Sequence, residues 1–516
     1  MSSKDEYTQE IELEASSEDG STNDEKTLIR LGYTPEFKRE LGLWSIFSVS
    51  FSVIGLLPSV AATLFYGVGY IGIPGISWDW PIACSGIICV SLAMAELCSS
   101  MPTSGGLYYA GAVLAPTGWK ALTSWTIGWS NWLAQITWAP SVKYTLANLI
   151  LALAQIKNPD YEPQKYQVFL LALLLLFIHG ILGSVPTKYV ARINSIGSCL
   201  NAAVIIIGIV MLLVGNKREE PKWNSNYQVW REFKNNTEWP DGIALLMSFL
   251  AAIWCIAGFD GPFHLAEECS NASTAAPISI VSTTVLASVF GWVLMLIIAY
   301  TIVDVEAVIS SDIGQPFATY CDQLMGTDAA TASLALIAIC LFFTGQACVV
   351  TASRVAYAYA RDGCFPFSKY WSQVNKTTRT PVRCVWGNVS IGALILLLTF
   401  NSEAISAIFS LGGTAAYIAF TIPTLLKLFA QNKFKPGPWN LGKFSAPVGI
   451  YACSFVLLMV PILSFPQVRG VDLSAQVMNW TSLVYYGPMA IALSWYAIDA
   501  RKWFQGPNVS KDHFIN

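Results

Sequence analysis

The stretch Ala257-Gly258-Phe259-Asp260-Gly261-Pro262-Phe263-His264 interrupts an otherwise apolar run at 243–266. It places two glycines, a proline and a carboxylate where a membrane-crossing helix should be most regular. Glycine weakens a helix, and proline removes a backbone donor and collides with the preceding turn. In lipid, each freed backbone group needs a partner, so irregular backbone at mid-depth is tolerated only in packed protein or along a cavity. A second interruption, Phe51-Ser52-Val53-Ile54-Gly55-Leu56-Leu57-Pro58-Ser59, lies in the first apolar run of the chain.

The composition explains why these runs are read as membrane spans. Of 516 residues, 54% are hydrophobic and 12% charged, against about 25% charged in an average soluble domain. That excludes a soluble enzyme, a nucleic-acid binder and a receptor with a large extracellular domain. A spanning helix takes roughly 20 apolar residues. The runs at 44–70, 78–101, 119–150, 166–185, 190–215, 243–266, 277–303, 329–358, 382–400, 404–429, 446–466 and 474–499 give twelve. With the N-terminus inside, 21 Lys and Arg fall on the inner side and 8 on the outer, as the positive-inside rule requires. Both termini are therefore expected in the cytoplasm.

The expected organisation is an acidic, disordered cytoplasmic tail at 1–43, a first unit of five spans at 44–215, an extracellular loop at 216–242, a second unit at 243–430, two further spans within 446–499, and a short cytoplasmic tail at 500–516. The tail carries no apolar core after a basic start and is not read as a signal peptide. Asn235-Asn236-Thr237 in the extracellular loop matches a glycosylation acceptor. Twelve cysteines and three histidines (His179, His264, His513) show no metal-ligand spacing, so no metal or cofactor is expected.

The two interruptions fall in spans 1 and 6. Five spans separate them, so they enter the membrane from opposite sides, as in a five-plus-five inverted repeat with the binding site between two broken helices. Asp260 is the leading candidate, because an ionisable group at mid-membrane defaults to a functional reading. It serves either as counter-ion to a substrate ammonium or as a proton carrier; the alternative is a local helix cap. Gly55, Leu56, Gly258 and Phe259 are expected to offer backbone groups or a gating ring beside it. Lys143 is expected near the outer end of span 3, with its ammonium snorkelling to the interface.

Four motifs carry a family resemblance. SFSVIGLLPSVAATLFYGVGYIG (50–72), AELCSSMPTSGGLYYAG (95–111), AGFDGPFHLAEECSNASTAAP (257–277) and SRVAYAYARDGCFPFS (353–368) resemble the amino acid–polyamine–organocation superfamily, in its fungal amino acid/choline transporter branch. The likeness covers about 35–500. It implies a twelve-span, five-plus-five fold, alternating access and proton-coupled uptake of a small amine or amino acid such as GABA, choline, thiamine or a polyamine. It also implies a plasma-membrane location.

From the same resemblance, Asn131 in span 3 and Gln346 in span 8 are expected to face the substrate. Helix-helix glue is the alternative for Asn131. Glu96, Glu267, Glu268, Arg354, Arg361 and Asp362 are expected as inner-gate charges. Some proton-coupled relatives carry a lysine in span 5, where this chain has Asn201, so either Asp260 or His264 is the proton carrier, or transport is uncoupled or driven by exchange. The competing reading is a nutrient sensor of the same fold that binds substrate without moving it. An enzyme is disfavoured because no nucleophile, base and metal set converges.

Overall fold

The computed structural model describes residues 23–158, 160–310, 315–430, 434–470, 473–474 and 477–509, with 402–406 described as backbone alone. The remainder of the expected tails at 1–22 and 510–516, His513 included, lies outside the described residues. Within these limits the chain is helical, with one isolated two-residue bridge, Leu41 to Cys269, and no named strand.

In chain order the helices are α1 (Asn23–Arg30), α2 (Leu43–Ile54), α3 (Leu56–Ile71), α4 (Ile73–Ser100), α5 (Gly106–Leu114), α6 (Lys120–Lys157), α7 (Lys165–Gly183) and α8 (Thr187–Val214). They continue with α9 (Asp241–Ser248), α10 (Leu250–Cys255), α11 (Gly261–His264), α12 (Ala272–Thr301), α13 (Thr327–Arg361), α14 (Val382–Leu396), α15 (Ser402–Phe429), α16 (Ser445–Ile462) and α17 (Thr481–Ile498). Shorter helices at Asn226–Trp230, Val305–Ile309, Pro316–Met325 and Ser368–Trp371 dress the ends of the bundle.

Nine segments among the described residues are long and apolar enough to cross a membrane. They are not equally placed. In the most apolar stretch of Leu43–Ile71, 89% of residues are buried in protein, against 33% for Thr187–Val214. The first is central. The second turns Ile196, Ile206, Val210 and Val214 outward, the apolar surface that a lipid-facing helix presents.

The central position belongs to the interrupted runs. α2 ends at Ile54 and α3 begins at Leu56, with Gly55 alone between them at φ 46°, ψ 63°. That left-handed conformation costs other residues about 1–2 kcal/mol. Space also demands glycine, since a Cβ on Gly55 would stand 2.1 Å from Thr344 Oγ1 of α13. Pro58 falls in the first turn of α3, where its missing donor is harmless. The second interruption runs from Ile256 to Asp260 between α10 and α11, with Gly258 at φ 100°. A Cβ there would meet Val53 Cγ1 at 2.2 Å. The two breaks therefore lie against each other, since Val53 belongs to the last turn of α2. Around them, α13 and α15 pack on α6, α12 packs along α4, and α10 packs on α3.

Three expectations change. The tail is ordered from Asn23: Asp24–Leu41 is docked on the bundle, with Leu28, Leu31, Phe37 and Leu41 buried. A composition rich in charge hid an apolar spacing short enough to fold against a preformed surface. The helix in the place expected for the final span begins at Thr481 rather than 474. Lys143 does not snorkel. It sits well inside the 38-residue α6, wholly buried, and its ammonium donates to the Gly345 carbonyl of α13 at 2.6 Å.

A buried carboxylate cluster between two helix breaks

Asp260 is the N-cap residue of α11 and is completely buried. Its Oδ2 accepts from Gln135 Nε2 of α6 at 2.8 Å and lies 3.1 Å from His264 Nε2, one turn along its own helix. Among the described residues its Oδ1 has no hydrogen-bond partner. Nothing in the geometry makes Asp260 a backbone cap, since its side chain takes no hydrogen bond from the following N–H groups.

His264 Nε2 also lies 3.1 Å from Asn131 Nδ2, and Asn131 Nδ2 donates to the Tyr359 hydroxyl at 3.0 Å. His264 Nδ1 faces the Ser104 carbonyl at 3.4 Å. One ring nitrogen cannot donate to a carboxylate and accept from an amide at once. The two contacts of Nε2 are thus alternatives, and the tautomer of the ring decides between them.

Three residues of this network each leave an acceptor unsatisfied. Asp260 Oδ1, Gln135 Oε1 and Asn131 Oδ1 are buried acceptors without donors. Buried polar groups are normally paired, and leaving one unmade costs about 1–3 kcal/mol. Three together describe a place that a donor-rich group would satisfy. Buried aromatic groups stand on the neighbouring elements. The Phe259 ring is 5.3 Å from that of Phe420 and 6.4 Å from that of Tyr417. Trp254 packs on Phe409 at 5.4 Å. Trp138 Nε1 would be 2.5 Å from a Cβ at Gly412, so that glycine lets the indole close on α15. Trp138 Nε1, Trp254 Nε1, Thr414 Oγ1 and the Tyr417 hydroxyl are also unpartnered.

The structure brings together Asn131, Asp260 and His264 by hydrogen bonds, with Gly258 and Phe259 adjoining in sequence and Gly55 and Leu56 at the facing break. Gln135 was missed in the sequence. Its only signal was its place one turn beyond Asn131 on the same face of a helix. Gln346 is corrected. With its amide set as its neighbours require, it donates to the His179 carbonyl and accepts from the Gly183 N–H, both at 3.2 Å. It thus faces α7, away from Asp260, and ties two helices together. Asn235 is half-buried, and its amide nitrogen donates to the Trp239 carbonyl (2.7 Å) and to Asp241 (2.9 Å).

The charges at one end of the bundle resolve into separate pairs. Arg361 grips Glu267 with two bonds of 2.9 Å, and the Ser104 N–H adds a third to that carboxylate at 2.9 Å. Burial pushes the Glu267 carboxyl up, but Arg361, the Ser104 N–H and Arg39 together hold it below the usual range. Arg354 binds Glu268 at 2.8 Å, and Thr187 donates to the same carboxylate at 2.8 Å. Asp362 is pushed up to about 6 by burial, against the pull of Arg361 and a hydrogen bond from Tyr33. Glu96 does not join this set. It pairs with Lys427 of α15 and accepts from Ser445 (2.7 Å), so it fastens α4 to α15 and α16. Carboxylates in the same inner region of the sequence are not neighbours in space, and Lys427 was the unseen partner.

Comparison with known proteins gives this arrangement a family. Residues 41–492 match the sequence model of the amino acid permease family. An uncharacterised amino-acid permease of Schizosaccharomyces pombe is 53% identical, over 95% of this chain and 90% of its own length. A Candida albicans protein named as a candidate polyamine transporter is 44% identical, over 96% and 91%. An amino-acid permease of Arabidopsis thaliana is 32% identical, over 93% and 95%. A membrane-embedded helical bundle, matched over nearly its whole length, belongs to the amino acid permease family.

Proposed function

We propose that this chain is a secondary active transporter that takes up a small amine or amino acid by alternating access, coupled to protons, with Asp260 as the counter-ion of the substrate ammonium. The observation that carries this reading is the cluster of buried acceptors at the paired breaks: Asp260 Oδ1, Gln135 Oε1 and Asn131 Oδ1. An ammonium with N–H donors satisfies them. A quaternary ammonium such as choline has none to give, so primary and secondary amines are favoured over choline. The name of the Candida albicans relative agrees with an amine substrate.

In this reading the nine apolar segments are joined by α6, the broken α9–α11 segment and α17 to make twelve spans. The first five and the next five form the inverted repeat, both termini face the cytoplasm, and the protein resides in the plasma membrane. Proton coupling is taken from the family resemblance, with Asp260 or His264 as the carrier.

Uptake of labelled GABA, choline, thiamine, polyamines and amino acids in transporter-deficient cells at two external pH values tests the proposal. Accumulation of an N–H amine or amino acid, faster at the lower pH, is expected. Binding of such a compound with no accumulation would instead identify the nutrient sensor.

A further inference from the structure

The segment that precedes the first span is anchored on two sides of one seam. On one side, the Asp24 carboxylate accepts from the N–H groups of Asn271 (2.6 Å) and Ala272 (3.2 Å) at the start of α12. Arg39 donates to the carbonyls of Cys269 (2.7 Å) and Ala266 (3.3 Å) and back to Asp24 (3.1 Å). The Leu41 N–H donates to the Glu268 carbonyl at 3.0 Å, and the Ser270 N–H to the Leu41 carbonyl at 2.9 Å. On the other side, Tyr33 donates to Asp362 at 2.8 Å and lies beneath the Arg361 guanidinium, 4.0 Å from its ring centre. Tyr357 of α13 donates to Glu36 at 2.6 Å, and Tyr109 of α5 to the Leu31 carbonyl at 2.8 Å.

The Glu267–Arg361 and Glu268–Arg354 pairs cross this same seam. Residues that follow the broken helix at α11 stand on one bank, and α13 stands on the other. Any movement that separates the banks must also strip residues 24–41 from at least one of them. The segment is built to be stripped. α1 has eight residues, too few to hold a helix alone in water, so its order depends on the buried Leu28, Leu31, Phe37 and Leu41 and on the hydrogen bonds above.

We propose that residues 23–41 are a releasable latch, which when docked keeps the inner mouth shut and must leave before substrate passes to the cytoplasm. This rests on the alternating-access reading above and adds a step to it. It makes the chain ahead of the first span a point at which transport can be throttled without touching the substrate site.

Cys269 reports the state of the latch, because its side chain is buried and its backbone is pinned by Leu41 and Arg39. The test is labelling of Cys269 by a membrane-impermeant maleimide, resolved by peptide mass spectrometry, on the full chain in inside-out vesicles. Arg39→Ala and Asp24→Ala each remove charge-assisted bonds and should raise the labelling rate about tenfold. Both should speed release of preloaded substrate. Tyr33→Phe, which deletes one hydroxyl and keeps the ring, should raise labelling about twofold to threefold; it decides the matter if the other variants fail to insert. Wild-type labelling and release rates in inserted variants would overturn the latch. Binding of an amine or amino acid by the parent protein with no accumulation would overturn the transport reading instead, and leaves the labelling result to stand by itself.

Discussion

At the scale of single residues, the account turns on which buried polar atoms have partners. Asp260 was legible in the sequence because a carboxylate inside an apolar run is conspicuous. Gln135 was not, since an amide in a helix of 38 residues with several other polar groups carries no distinguishing spacing. Gln135→Ala should raise the KM for substrate about tenfold or more while the protein still reaches the membrane, because it removes a hydrogen bond to a charged group worth about 1.5–3 kcal/mol. Initial uptake rates over a concentration series measure it. Lys143 gives the opposite lesson. The sequence suggested an interfacial ammonium, yet its one hydrogen bond among the described residues is to a carbonyl, and it is fully buried. A buried ammonium without a carboxylate is costly. Lys143→Met should therefore melt no lower than the parent protein in a detergent thermal-shift measurement. Melting several degrees lower would show that the amine is held by more than that carbonyl.

At the scale of elements, both breaks were legible and one was placed to the residue. Gly and Pro act through local backbone geometry, so their effect appears in one dimension. What the breaks touch does not. Val53 against Gly258 and Thr344 against Gly55 are contacts across 205 and 289 positions of sequence respectively, and the partnership of Glu96 with Lys427 was hidden for the same reason. Gly55→Ala adds a Cβ in contact with Thr344 and a strained backbone, and should abolish uptake. Adding Thr344→Ala removes the closest contact but not the strain, so the double variant should recover part of the lost transport. Equal loss in single and double variants would place the whole effect in the backbone.

At the scale of the whole molecule, membrane residence was plain from 54% hydrophobic residues, while the docked N-terminal segment was not legible. Its charges resemble those of a solvated tail until a surface is supplied for Leu28, Leu31, Phe37 and Leu41. The latch also has a pH signature. Asp362 faces Arg361, Glu267, Tyr33 of the proposed latch, Tyr108 and Tyr109 of α5, and Lys120 of α6. Burial lifts its carboxyl to about 6 in the docked form, above the value of about 3.9 that it takes in water. The docked form therefore gains from protonation, keeps that gain fully below the water value, and loses it as pH rises through about 6. Cys269 in inside-out vesicles should label more slowly at about pH 5.5 than at about 7.5, relative to unfolded protein at each pH. Asp362→Asn should remove that difference.

The central claim is that Asp260 holds the ammonium of the transported substrate between the two helix breaks. Uptake of a labelled amine by Asp260→Asn, with surface expression measured on the same cells, tests it most directly. Uptake should fall at least about a hundredfold below the parent protein at equal surface expression, in keeping with the loss of a buried charge-assisted contact. Uptake equal to that of the parent, from a variant present at the membrane in equal amount, would contradict it.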